Sequence, residues 1–388
     1  MTSVSKPDVR PAYAHFSSGP TAKRPGFSLQ QLDSAALGRS HRSKDAKAKL
    51  KEAIDRTRVT LGVPEDYLIG IVPASDTGAV EMAMWSMLGE RPVDIFAWES
   101  FGKDWVKDAL DELTDVDAEI HTADYGALPD FEAVRDNADI IFTWNGTTSG
   151  VRVPNADWIK PNPDRIVIND ATSACFAQDI DWAKCDVVTY SWQKVLGGEA
   201  AHGMLILSPN AVARLERYKP PRPLPKIFRL TKGGKINKGI FEGATINTPS
   251  MLCVEDYLKA LDWADSLGGW KGCKARCDES LATLQAWVAQ TDWVDFLCED
   301  PTVRSNTGVT LKIVDPRFTA LEGDAQKAFM KAMTGLLEAE GVAFDANGYR
   351  DAPPGLRIWC GATVEPTDVT RLTPWLDWAF AESISQHG

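Results

Sequence analysis

Two residues placed just after apolar runs have side chains suited to chemistry. Asp170 closes the run Arg165-Ile-Val-Ile-Asn-Asp, and Lys194 follows the next one in Tyr190-Ser-Trp-Gln-Lys-Val-Leu-Gly-Gly. Ligands of a parallel sheet gather at the carboxyl ends of its strands, so a carboxylate and an amine on adjacent strand ends would face one crevice. Pyridoxal phosphate (PLP) chemistry requires such a pair: a lysine to form a Schiff base and a carboxylate to keep the pyridine nitrogen protonated as an electron sink. Each residue alone has a plainer reading. An Asp at a strand end is commonly a cap or turn residue, and a Lys after a strand is commonly just solvated. It is the pairing, within an alternation of strands and helices, that points to a cofactor.

The elements that must position this pair lie between Asp66 and Pro209. Strand-like runs are Tyr67–Val72, Val93–Trp98, Ala138–Trp144, Arg165–Asn169, Asp186–Trp192 and Gly203–Leu207, with amphipathic stretches such as Ala79–Leu88 and Lys103–Leu113 between several of them. Strands alternating with helices predict an α/β fold with a mostly parallel sheet covered by helices on both faces. From Lys219 the chain turns Pro-rich, Gly-containing and basic, which predicts a long arm over 219–240 rather than a helix. After Pro249, helical patterns at Met251–Leu267, Lys274–Gln290, Asp324–Glu340 and Glu365–Glu382 interleave with strand candidates Gly308–Val314 and Leu356–Gly361. The expected organisation is an N-terminal tail over 1–15 whose start, Met1–Pro7, is polar and frayed, a large domain over 16–255 that includes the arm, and a smaller C-terminal α+β domain over 256–388.

Composition narrows the function classes. The 388 residues carry 42 Lys plus Arg against 54 Asp plus Glu, a net charge of −12 that argues against a nucleic-acid binder. No apolar run approaches the ~20 residues that span a bilayer, and the start lacks a signal-peptide pattern, so a cytoplasmic protein with no membrane partner is expected. Seven scattered cysteines, an odd number, make a disulfide framework improbable. Cys273 and Cys277 have helical spacing but no nearby histidine, so they read as buried thiols and no metal site is expected.

A set of motifs then resembles one family in order and spacing. Phe16-Ser-Ser-Gly-Pro, Ser40-His-Arg-Ser, Asn145-Gly-Thr-Thr-Ser-Gly, Asp170-Ala-Thr-Ser, Gln193-Lys and Asn247-Thr-Pro are similar to those of the phosphoserine aminotransferases, in their divergent bacterial and archaeal branch. The resemblance implies the fold-type-I, aspartate aminotransferase-like architecture of PLP-dependent transferases. It also implies roles. Lys194 would carry the cofactor and shuttle the transferred proton, and Asp170 would pair with the pyridinium. Phe101 would stack on the ring, although Trp98 and Trp105 lie close enough to leave that choice open. Thr147 would bond the phenolic oxygen, with Ser173 nearby in the Asp170-Ala-Thr-Ser motif. At Ala74-Ser-Asp-Thr-Gly, before a helix whose amides can face a phosphate, Thr77 and Gly78 are expected to make the contact, with Asp76 capping the helix or pointing away. Gln193 would complete the phosphate cup, and Asn247 and Thr248 would arrive from the second subunit of a homodimer.

The substrates implied by the resemblance are L-glutamate and 3-phosphohydroxypyruvate, with products 2-oxoglutarate and O-phospho-L-serine. A substrate with a carboxylate at one end and a phosphate at the other needs two cationic poles. Arg357 resembles the carboxylate grip; His41, Arg42 and Arg350 resemble the phosphate pole, with Tyr349 standing where the family often has His. The family's link to pyridoxine biosynthesis, through a related phosphorylated hydroxy-oxo acid, stays open. So do two other readings: an alanine- or serine-glyoxylate aminotransferase, and a non-catalytic PLP-binding regulator. A cysteine desulfurase would need a mobile reactive thiol, and Cys360 lies in a strand-like run instead.

Overall fold

The computed structural model describes residues 4–34 and 36–387. Its first long helix, α1 (Lys44–Leu61), begins where the Ser43 side chain accepts from the Ala46 amide. A seven-stranded sheet follows. Its first four strands are β1 (Leu68–Pro73), β2 (Val93–Ala97), β3 (Ala118–Thr122) and β4 (Asp139–Thr143), after which the hairpin β5 (Asn145–Gly146) and β6 (Val151–Arg152) turns back over the strand ends. The sheet resumes with β7 (Val167–Asp170), β8 (Val187–Ser191) and β9 (His202–Leu207), in the order β1-β9-β8-β7-β4-β2-β3. Neighbours from β3 to β8 pair parallel, and β9 runs antiparallel to both β8 and β1.

Every residue of β2, β4, β7, β8 and β9 is buried, which is why these strands read as continuous apolar runs rather than alternating ones. One face packs Ile141, Ile168 and Leu205 with α2 (Ser75–Met87) and α4 (Pro209–Arg217), while α3 (Ser100–Lys107) follows β2. The other packs Phe142, Val188 and Ile206 with α1 and α5 (Met251–Ser266). The basic arm between α4 and α5 contains a hairpin, β10 (Thr231–Lys232) with β11 (Lys235–Ile236). Arg222 in the arm binds the Asp115 carboxylate and the carbonyls of Trp85 and Leu88.

The C-terminal part is α+β. Helix α6 (Trp270–Val288) leads into a three-stranded antiparallel sheet of β12 (Val294–Phe296), β13 (Gly308–Ile313) and β14 (Gly355–Trp359). The short α7 (Pro316–Thr319), then α8 (Gly323–Ala339) and α9 (Pro366–His387) complete it. The boundary expected after position 255 falls inside α5, which runs unbroken across it. Of the expected frayed start, Met1–Ser3 lie outside the described residues, and Lys6 pairs with Glu340 at 2.6 Å. The Ala12 and Tyr13 amides donate to the Asp368 carboxylate, and Trp375 donates to the Val9 carbonyl, so the segment from Val9 to Tyr13 is strapped to α9. Among the described residues no helix is long and apolar enough to cross a membrane.

One turn matters most for the site. Between β1 and α2, Ala74 and Ser75 take φ of 65° and 54°, a left-handed conformation costly for non-glycine residues. Packing enforces it from two sides. A Cβ at Gly78 would stand 2.3 Å from the Pro73 carbonyl oxygen, and one at Gly203 of β9 would stand 2.1 Å from that of Ser75. Only glycine allows this approach. Gly203→Ala should therefore push the turn off the sheet and cost on the order of 2 kcal/mol. Urea unfolding would show it as a lowered midpoint with an unchanged slope.

Candidate active site

Asp170 ends β7 and Lys194 lies in the turn just past β8, its parallel neighbour. The Asp170 carboxylate accepts from Trp105 Nε1 at 3.1 Å and from the Thr172 amide at 3.0 Å. Lys194 Nζ donates to the Ser18 carbonyl at 2.7 Å, while the Thr21 hydroxyl bonds the Lys194 carbonyl at 2.6 Å. The segment from Ser18 to Thr21 thus holds the lysine in place. Burial, assisted by the Arg357 guanidinium, pushes the lysine's pKa down to about 8.

The two groups share a cleft at the carboxyl ends of the strands. Ser75, Asp76 and Thr77 line one side, Phe101 and Trp105 another, and Thr147, Ser173 and Gln193 the rest. Thr147 Oγ1 and Ser173 Oγ lie 2.6 Å apart, and Asn145 Nδ2 donates to Ser173 at 2.8 Å. Five buried polar atoms facing this cleft have no hydrogen-bond partner: Asp76 Oδ1, Thr143 Oγ1, Thr172 Oγ1, Ser191 Oγ and Gln193 Oε1. Buried polar groups are normally paired, so so many unpaired ones around a single space fit a polar ligand. An amine, a strand-end carboxylate, a flat ring at Phe101 and a hydroxyl-rich turn are the donor set that PLP requires, and the cleft fits it.

The three candidate aromatics separate. Phe101 lies with its ring centroid 5.8 Å from Lys194 Nζ, Trp105 is occupied by Asp170, and Trp98 turns into the core, donating to the Val151 carbonyl. At the α2 start the expectation changes. The Gly78 amide is bonded to the Ala74 carbonyl, so Gly78 serves the tight approach to β1, while Ser75, Asp76 and Thr77 reach the cleft. Asp76 makes no cap bond and points inward, because the left-handed Ala74 and Ser75 rotate it there.

Sequence reasoning missed Glu99. It caps α3 by accepting from the Gly102 amide at 2.7 Å and accepts from Thr148 Oγ1 at 2.9 Å; Thr148 in turn accepts from the Ser100 amide. One fully buried acid thus clamps the first turn of α3, which bears Phe101, to the hairpin bearing Thr147. Burial raises its pKa to about 7. The only hint in the sequence was a Glu one residue before a helix, at the N-cap position.

The cationic pole is partly assembled. Arg357 of β14 stands with its guanidinium 5.4 Å from the Tyr349 ring, its Nε unpaired and no ion-pair partner among the described residues. Tyr349 also meets Phe101, at 5.8 Å between centroids. Arg350 is exposed and pairs with Asp351. His41 and Arg42 lie in the turn before α1, and Asn247 and Thr248 lie exposed in the loop before α5; none of these lines the cleft of its own chain. Cys360 is buried, and burial pushes its thiol upward, which leaves it inert.

No protein-family model matches the chain. Curated relatives do. A phosphoserine aminotransferase of Methanosarcina mazei is 56% identical over 375 residues, covering 97% of this chain and 99% of its own length. The chain belongs to the phosphoserine aminotransferase family. Its relative in Methanosarcina barkeri, of the same name, is 55% identical over the same shares. Membership makes the chain a PLP-dependent aminotransferase of fold type I. A solved phosphoserine aminotransferase from Cytophaga hutchinsonii superimposes with a TM-score of 0.78 at 21% identity, covering 94% of this chain and 98% of that one. An alanine–glyoxylate aminotransferase from Nostoc superimposes almost as well, at 0.77 and 18% identity over 96% and 97%. The architecture is therefore common to both activities.

The Glu99 clamp has a pH signature. Its folded pKa of about 7 lies above the ordinary 4.5, so its stabilising contribution is fully present below 4.5 and is lost as pH rises through about 7. Ionising it should cost on the order of 3 kcal/mol. Unfolding of the apoprotein at pH 5 and pH 8 should show this difference in the wild type, and Glu99→Gln should abolish most of it. Equal pH slopes in both proteins would remove Glu99 from this role.

Proposed function

We propose that the chain transfers the amino group of L-glutamate to 3-phosphohydroxypyruvate, giving 2-oxoglutarate and O-phospho-L-serine. The observation that carries this reading is Lys194 and Asp170 facing one cleft, with the unpaired Arg357 within electrostatic reach. The relatives' shared name supplies the substrate class.

PLP, when bound, supplies an aldehyde that takes up the amine and a ring that accepts the electrons left when the substrate Cα–H bond breaks. The remaining work falls to the chain. Lys194, with its lowered pKa, gives up its proton near neutral pH, so Nζ can take the Cα proton and return it. Asp170 holds the proton on the ring nitrogen, and its two donors fix the carboxylate's orientation. Thr147 and Ser173 would offer hydroxyls to the cofactor's oxygen, and the Thr77 hydroxyl and the Gln193 amide would face its phosphate. Arg357 grips the carboxylate of either substrate with its planar fork, which is how one pocket serves both halves of the reaction.

The protein acts as a cytoplasmic homodimer in this reading. His41, Arg42, Asn247 and Thr248 sit on the outside of the protomer, where only a second copy can bring them to a cleft, and Arg350 completes the phosphate pole from the rim. Light scattering should then return twice the protomer's 42.5 kDa.

The deciding measurement is the absorbance of the purified holoprotein before and after adding O-phospho-L-serine, with L-alanine and L-serine as controls. A yellow form that bleaches with phosphoserine alone is expected. Bleaching by alanine or serine but not phosphoserine would move the chain to the glyoxylate-type aminotransferases. Lys194→Ala should remove turnover without unfolding the protein. Arg357→Lys should lower kcat/KM for glutamate by about a hundredfold, the loss expected for a charged, bidentate contact.

A further inference from the structure

The turn from β1 into α2 carries a carboxyl that this reaction does not use. Asp76 is only 6% exposed, and its Oδ1 has no hydrogen-bond partner. Its polar neighbours are the Asp170 carboxylate and the hydroxyls of Thr172 and Thr189. The backbone is strained to put it there, with φ of 65° at Ala74 and 54° at Ser75, and strain of this kind persists only where surrounding packing over-determines it. Turned outward, the same carboxylate would sit favourably at a helix N-terminus, with water around it. It instead lies beside a second carboxylate in a site that would also receive a phosphate.

Two buried carboxyl groups at this range cannot both be ionised, and one holds the proton. Hydrogen bonding decides which. Asp170 accepts from the Trp105 and Thr172 N–H groups, both of which stabilise its charged form, whereas Asp76 has only the Thr172 and Thr189 hydroxyls beside it and its Oδ1 is unpaired. Burial first, and the Asp170 charge second, push the Asp76 carboxyl well above its ordinary range. Of the other groups around it, the Thr172 and Thr189 hydroxyls oppose the shift without reversing it, Lys194 shares the cleft, and the buried Cys175 thiol is neutral.

We propose that Asp76 is a positioning residue, a protonated carboxyl that donates a hydrogen bond to Asp170 and so ties the ring-nitrogen acid to the turn that would carry the cofactor phosphate. A carboxylate offers about four lone-pair sites. Trp105, Thr172 and Asp76 occupy three on Asp170, and the fourth is left for the ring N–H. The proposal rests on the PLP reading.

The test is chosen so that the two can fail separately. Infrared difference spectra of the apoprotein at pH 7.5, wild type against Asp76→Asn, should contain a protonated-carboxyl band that belongs to Asp76. Absence of that band overturns the proposal whether or not PLP binds. In PLP titrations Asp76→Asn, whose amide still donates, should stay within about threefold of the wild-type Kd. Asp76→Ala, which loses the donor, should weaken it at least tenfold and lower kcat more than it raises the KM for glutamate. If Asp76 were ionised it would oppose the phosphate, and Asp76→Ala would bind PLP as tightly as the wild type or tighter; that result overturns the proposal. A wild type that binds no PLP while the band is present would sink the cofactor reading and leave the shared proton standing.

Discussion

Asp170 is held at the carboxyl end of β7 by an indole N–H and a backbone N–H, and the site is built outward from that fixed anion. A carboxylate this deep is tolerable only if its lone pairs are met by donors in set directions. Trp105 meets one from α3, which explains why α3 must lie over the strand ends and why its N-terminus is clamped by a buried acid. Thr172 meets another from the turn that continues β7. The parallel pairing of β7 with β8 then brings the chain to Lys194, three residues beyond the end of β8.

Around that anion the fold keeps an uneven set of charges. Glu99 and Asp76 are acids that burial drives toward their neutral forms, and Lys194 is an amine that burial drives the same way. Arg357 stays charged in this setting, because a guanidinium does not give up its proton. A low-dielectric cleft with one fixed cation and several groups near the edge of ionisation is suited to moving a proton and accepting a carboxylate. It is poorly suited to retaining a bulk-water charge distribution. The chemistry and the electrostatics therefore have a common cause, the exclusion of water by the strand ends and the Phe16–Pro20 segment.

Much of this was legible in the sequence. The buried strands announced themselves because a parallel sheet covered on both faces leaves no room for polar alternation, and Lys194 and Asp170 followed from their positions after two such runs. The strand β3 was not legible: Ala118-Glu-Ile-His-Thr lies at the sheet edge, half exposed, and reads as any polar segment. Helix α1 escaped notice because its polar outer face dilutes the apolar stripe at Leu50, Ala53, Ile54 and Thr57. Asp76 and Glu99 failed for a deeper reason. Which way an acid at a helix start points depends on backbone angles and on tertiary contacts, here the press of β9 at Gly203 and the closeness of the 145–150 hairpin, and neither is a local property of the residues.

Specificity has a different origin from the fold. Two solved aminotransferases with different named substrates superimpose on this chain about equally well, so the sheet and its helices do not choose between a phosphorylated and an unphosphorylated partner. The choice must lie in side chains around the rim of the cleft. Within electrostatic reach of the cleft stands the unpaired Arg357, which suits the carboxylate common to every amino-acid substrate and discriminates among none of them. The cations that could read a distal phosphate, His41, Arg42 and Arg350, lie outside the cleft on segments that the sheet does not hold rigid: a turn before α1 and the loop before β14. Reaction type is thus written into the rigid strand ends, and substrate choice into the outer loops, which is the division that lets one architecture serve many amino-group transfers.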